Sequence, residues 1–178
     1  MRRGRVAGPR PPAPVREPDS PEAAYTAAVK RLARQPQSRA TLTQRLSKAG
    51  YEPSAIEAAL DRAEQDGYLN DDEYAASLVR RRAPGRGHGL IAQELRAKGV
   101  GELAAEPALA QLEPGAEEDR ALGLARRLLA SRQLADREAL LSFLAPRLAR
   151  RGFRTGVVYR VCRLLADEWE AAGAFDTI

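Results

Sequence analysis

The sequence predicts an all-α fold of three tandem three-helix repeats in an elongated array, on three observations. The first is a pattern that occurs three times: Leu42-xxx-Leu46-xxx-Gly50, Ile91-xxx-Leu95-xxx-Gly99 and Leu144-xxx-Leu148-xxx-Gly152. The copies begin 49 and then 53 residues apart. Apolar residues four apart stack on one helix face. A Gly four further on ends the helix, because Gly enters the left-handed conformation without penalty. The second observation is that the period extends on both sides. Tyr25 and Val29 precede the first copy as Tyr74 and Leu78 precede the second. Beyond the glycines lie Ile56, Leu60 and Ala63, then Ala105, Leu109 and Leu112, then Val158, Cys162 and Leu165, each again at helical spacing. The third is composition: strong helix formers dominate, and no alternating run of β-branched residues is long enough for a strand. A fixed period of this size marks a repeat protein.

Taken in order, residues 1–20 are rich in Arg and Pro and nearly devoid of large apolar side chains. They cannot bury enough surface to offset chain entropy, which predicts a disordered tail. Ser20-Pro21-Glu22 then opens a helix, with Ser as cap, Pro in the first turn and an acid near the positive helix end. The first repeat, 21–70, is expected as helices near 21–34, 38–49 and 53–66, with Ser38 capping the second and Pro53 starting the third. Gly67 ends that helix, and Asn70 or Asp71 caps the next. The second repeat, 71–115, is expected as helices near 71–82, 88–98 and 102–112, broken by Glu113-Pro114-Gly115. The third, 116–178, is expected near 116–131, 136–150 and 154–170, with Asp136 as a cap. Leu124 and Leu128 open it, and its extra residues fall in the loop from Ser131 to Asp136, where repeat arrays absorb insertions.

Several function classes are excluded or disfavoured. No apolar stretch approaches the roughly 18 residues of a membrane span, and the basic N-terminus lacks the apolar region of a secretory signal. One Cys and one His leave no metal centre, no cofactor site and no internal disulfide. Cys162 lies on an apolar helix face, which reads as core rather than catalytic thiol. These features predict a cytoplasmic, non-enzymatic protein, expected as a monomer. The loop Gly85-Arg86-Gly87-His88-Gly89 precedes a helix, where glycine-rich loops can cradle phosphates. It follows a helix rather than a strand and has no Gly-Lys-Ser/Thr. It reads as a flexible connection exposing Arg86 and His88.

Charge is segregated. From Arg80 to Lys98 six basic residues face only Glu94, and from Arg147 to Arg163 six Arg face no acid. Glu102 to Asp119 holds six acids and no base, and Glu52 to Glu73 eight acids and only Arg62. Solvated helix faces mix the signs more evenly. The pattern predicts a basic surface on the second and third repeats that meets a polyanion or an acidic protein.

The most specific stretch is Asp66 to Val100. There "DGYLNDDEYAASLVRRR" and "IAQELRAKGV" resemble two signatures of the RecX family, bacterial regulators of the RecA recombinase. Gly67, Tyr68, Leu69, Asp71, Tyr74, Ala75, Glu94, Leu95, Lys98 and Gly99 occupy the matching positions. The first repeat's "SRATLTQRLSKAGY" and the third repeat's Arg151-Gly152-Phe153 are similar to the flanking family motifs, so the resemblance covers residues 22 to 170. Gly85 to Ile91 keeps two Gly and the Ile of the family's middle loop but lacks its Tyr, Pro and Arg. The resemblance implies an all-α modulator that binds RecA and the RecA–ssDNA filament along its groove. It would limit filament growth, strand exchange, ATP hydrolysis and co-protease action, and so DNA repair and the SOS response. The charge clusters mark the expected contacts with RecA or the filament's DNA as Arg80, Arg81, Arg82, Arg86 and Lys98, with Arg147, Arg150, Arg151 and Arg154. The alternative is a small helical protein that binds ssDNA or dsDNA directly.

Overall fold

A computed structural model describes residues 16–112 and 114–173. The tail expected over 1–20 lies outside the described residues up to position 15, as does the chain end from 174. Among the described residues there is no strand. The chain divides into two compact units, one ending at Asn70 and one starting at Asp71.

The first unit holds α1 (Pro21–Leu32), α2 (Arg39–Ala49) and α3 (Pro53–Gln65). Ser20 accepts from the Ala23 N–H at 3.2 Å, and Ser38 from the Thr41 N–H at 3.2 Å. Each hydroxyl thus satisfies one of the orphan donors that open a helix, as the sequence predicted. Residues 17–20, which composition groups with the tail, are joined to this unit: the Pro18 carbonyl accepts from the Glu52 N–H at 2.7 Å. α1 packs mainly on α3. The buried residues of α1 are Ala24 and Ala28, facing a layer that includes Ala55 and Ala59, while Tyr25 is only half-buried. Small side chains let the two helices approach closely. The Tyr25 hydroxyl instead donates to Asp66 at 2.6 Å.

The second unit holds α4 (Asp71–Arg82), a 3-10 turn (Ala83–Gly85), α5 (His88–Ala97), α6 (Glu102–Ala110), α7 (Pro114–Leu129), α8 (Arg137–Ala149) and α9 (Thr155–Ala171). α4 to α6 enclose one core around Leu78, Ile91 and Leu95, and α7 to α9 another around Leu140, Leu144, Leu148 and Leu165. α7 starts at Pro114 rather than near 116. Its buried face is Ala121, Leu124, Ala125 and Leu129, with Leu128 at the edge. Asp136 caps α8 by accepting from the Ala139 N–H at 2.7 Å. Pro107 and Pro146 sit inside α6 and α8 on exposed positions.

The repeat is explicit in the atoms. All six aliphatics of the pattern, Leu42, Leu46, Ile91, Leu95, Leu144 and Leu148, are 0% exposed. Gly50, Gly99 and Gly152 have φ of 102°, 68° and 79°. After each Gly the chain folds back: Tyr51, Val100 and Phe153 donate to the carbonyls of Leu46, Leu95 and Leu148 at 3.2, 3.1 and 3.4 Å. These bonds satisfy carbonyls the helix end leaves open, and burial of Val100 and Phe153 completes the Schellman arrangement. Three tandem three-helix repeats are therefore present.

Candidate polyanion-binding surface

The basic residues singled out by the sequence all lie in the second unit, where the segment around Arg86 meets the turn at Arg151. The segment from Gly85 to Gly89 is not a free connection. Gly87 donates its N–H to the Arg151 carbonyl at 2.8 Å, and Gly89 donates to the Gly152 carbonyl at 3.2 Å. Arg151 Nη1 donates to the Gly85 carbonyl at 3.1 Å, and Arg127 Nη2 to the Pro84 carbonyl at 3.1 Å. The glycines permit this seating. A Cβ on Gly87 would stand 2.3 Å from the Gly152 carbonyl oxygen, and one on Gly152 would stand 2.4 Å from the Leu90 nitrogen. The expectation of a flexible loop exposing Arg86 and His88 is corrected: Gly87 is buried, and Arg86 and His88 are half-buried. The physical reason is the absence of side chains at 87 and 152, which lets two backbones meet.

This docking joins the end of α4 to the Gly152 turn and sorts the cations into kinds. Arg82 and Arg86 both pair with Glu94, whose side chain is 16% exposed, Arg82 at 2.8 Å. Arg154 pairs with Glu117, which is 3% exposed, at 3.6 Å, and its N–H donates to the same carboxylate at 3.4 Å. Two carboxylates thus meet three guanidiniums, so these side chains are engaged within the fold while one positive charge remains in excess. Arg80 and Arg150 are exposed and make no ion pair among the described residues. Arg81 donates to the Ser77 hydroxyl at 2.7 Å, and Arg147 to the Phe143 carbonyl at 2.7 Å while lying 3.8 Å from the Phe143 ring centroid. Arg151 serves the Gly85 carbonyl. Neutral partners leave the positive charge of these side chains intact. Lys98 is exposed at the far end of α5, about 15 Å of helix from the docked loop.

Sequence reasoning missed Glu94 and Glu117 as internal counter-ions and Arg127 as a clamp. Glu94 was visible as the lone acid in its basic stretch. Nothing in the sequence separates Glu117 from the acids around it. Cys162 is buried, and burial pushes its thiol up, in keeping with a core role. No group of three or more metal-ligating side chains occurs among the described residues. No helix among them is long and apolar enough to cross a membrane.

Comparison with known proteins follows the same division of the chain. Residues 24–62 match the family description "RecX, first three-helix domain", and residues 70–109 match "RecX, second three-helix domain". The chain is 38% identical over 144 residues to the regulatory protein RecX of Thermobifida fusca, covering 80% of this chain and 76% of that one. The chain belongs to the RecX family. The RecX protein of Streptomyces coelicolor is 37% identical over 153 residues, covering 84% of this chain and 81% of its own. The crystal structure of RecX from Lactobacillus salivarius shares the fold, with a TM-score of 0.70 at 21% identity, over 82% of this chain and 96% of that one. Within the RecX signature of this chain, Gly67 takes a φ of 76°, Leu69 is 3% exposed, and Glu94 is the shared counter-ion of Arg82 and Arg86.

Proposed function

We propose that this RecX-family chain is a non-enzymatic regulator that binds RecA and RecA–ssDNA filaments and inhibits recombination, ATP hydrolysis and co-protease action. Family membership supports the reading, and one structural observation carries the site. The docked glycine loop sets the chain that follows Arg80 and Arg81 against Arg151 and Gly152, and Arg80, Arg81, Arg147, Arg150 and Arg151 make no ion pair among the described residues. Uncompensated cations on a rigid scaffold are what a negatively charged filament attracts. Arg82, Arg86 and Arg154 belong to the same surface but act mainly to hold it together. Such a regulator needs no catalytic group, cofactor or metal.

The test is RecA-catalysed, ssDNA-dependent ATP hydrolysis with the chain added below one copy per RecA protomer. Inhibition at that ratio is expected. Direct DNA binding is the second reading, favoured by the same uncompensated arginines. It predicts inhibition only when the chain saturates the DNA, and that outcome would displace the first reading.

A further inference from the structure

The first unit carries a cationic cleft that the sequence pattern did not mark. We propose that it is a contact for the sugar-phosphate backbone of single-stranded DNA. This deepens the reading above and rests on it for its biological setting.

The cleft, of about 830 Å³, lies along α1, the 33–38 turn and α2, and is lined by Lys30, Arg31, Arg34, Arg45, Gln37 and Tyr51. The other side of the unit neutralises its cations. Arg39 pairs with Asp61 at 2.5 Å and Glu64 at 2.9 Å, and Arg62 with Glu22 at 2.5 Å and Asp66 at 3.6 Å. Lys30, Arg34 and Arg45 are exposed and make no ion pair among the described residues. Arg31 turns back to the Ala27 carbonyl at 3.2 Å. Two acids reach the rim, Glu17 and Glu22, and Glu22 is taken up by Arg62.

A helix C-terminus favours cations, which accounts for Lys30 and Arg31 in the last turn of α1. It does not account for Arg34, past the end of that helix, or for Arg45, in the middle of α2. The turn between α1 and α2 is held in place. Gln37 is 6% exposed and donates to the carbonyls of Arg31 at 3.3 Å and Gln35 at 3.4 Å.

Lys30, Arg34 and Arg45 thus border one cleft beside a turn held by Gln37, outnumber the acids that line it, and pair with neither of them among the described residues. Guanidinium forks match phosphate oxygens in geometry as well as charge. Between the cations the wall is Ala23, Thr26 and Ala27, side chains that admit a backbone but form no deep pocket for an apolar peptide anchor. Tyr51 packs on the core with its hydroxyl donating to the Ala23 carbonyl at 3.3 Å, so the cleft offers cations that track a backbone rather than a stacking platform.

The experiment uses the full chain without RecA. Binding to a fluorescent oligothymidylate is followed by anisotropy between about 50 and 200 mM salt. The variants are Arg45→Glu, the triple Lys30→Glu/Arg34→Glu/Arg45→Glu, and Lys48→Glu, an exposed α2 cation outside the cleft. We expect the triple to bind about tenfold or more weakly, with the salt slope reduced by about 2, since each lost single-strand phosphate contact removes about 0.7. Lys48→Glu should bind close to wild type, and far-UV circular dichroism should be unchanged in all variants. Equal losses in Arg45→Glu and Lys48→Glu would show a net-charge effect and overturn the site. Wild-type affinity in the triple, or no binding by wild type, would overturn it as well. RecA inhibition is scored separately, so a chain that binds DNA through this cleft but leaves RecA untouched would refute the regulatory reading and not the cleft.

Discussion

Three glycines of this chain separate two costs usually confounded. Gly67 has φ 76° and nothing within 4 Å of an added Cβ. Gly67→Ala should lose only the left-handed penalty of about 1–2 kcal/mol. Gly152 has φ 79°, and its Cβ would also meet the Leu90 nitrogen at 2.4 Å. Gly152→Ala should therefore lose clearly more. Gly87 has an ordinary φ of −79°, so Ala there meets no conformational penalty, only the backbone of the Gly152–Phe153 peptide at 2.3–2.4 Å. Urea midpoints at constant slope order the three. If Gly87→Ala is as stable as wild type, the backbone contact between second and third repeats is absent in solution. Cys162 supplies a further test at this scale. It is 3% exposed and its thiol is pushed up by burial. At pH 8 the folded chain should react with iodoacetamide far more slowly than the chain in denaturant, because little thiolate is present and access is closed. Equal rates would show the third-repeat core is open.

At the scale of the element, caps and stops were legible because each rests on one residue's chemistry. Ser20, Ser38 and Asp136 could be read as caps, and Gly50, Gly99 and Gly152 as stops, without knowing any tertiary contact. Asp136→Ala should cost about 1 kcal/mol, the usual loss for an N-cap, and a chain as stable as wild type would show that the 2.7 Å bond to Ala139 contributes nothing. Other features were less legible. Tyr25 and Val29 looked like the buried face of α1, yet Ala24 and Ala28 are buried there. An Ala pair four apart is a weak hydrophobic signal in sequence and a strong packing signal once a second helix lies against it. The same holds for Ala121 and Ala125 in α7. The glycine loop was misjudged for a related reason. Missing side chains read as freedom in a sequence, whereas here they let Gly87 and Gly152 touch. Counter-ions were the hardest to see, since Glu117 finds Arg154 only through the packing of α7 near the turn before α9.

At the scale of the whole molecule, the nine candidate contacts separate by what each charge meets. Net charge alone does not decide which of them face a partner. Arg82 and Arg86 are held by Glu94, and Arg154 by Glu117, so reversing any of them sets two carboxylates together and weakens the fold. Arg80 and Arg150 make no ion pair among the described residues, and surface charges of that kind contribute little to stability. The paired reversal Arg80→Glu/Arg150→Glu should therefore keep helical content and urea midpoint. It should lose most inhibition of RecA ATP hydrolysis, and the residual binding should depend less on salt because fewer counterions are released. The reversal Arg82→Glu/Arg86→Glu should lose stability together with inhibition. If Arg80→Glu/Arg150→Glu inhibits RecA as wild type does, this basic surface is merely solvated, and the filament contact lies elsewhere on the chain.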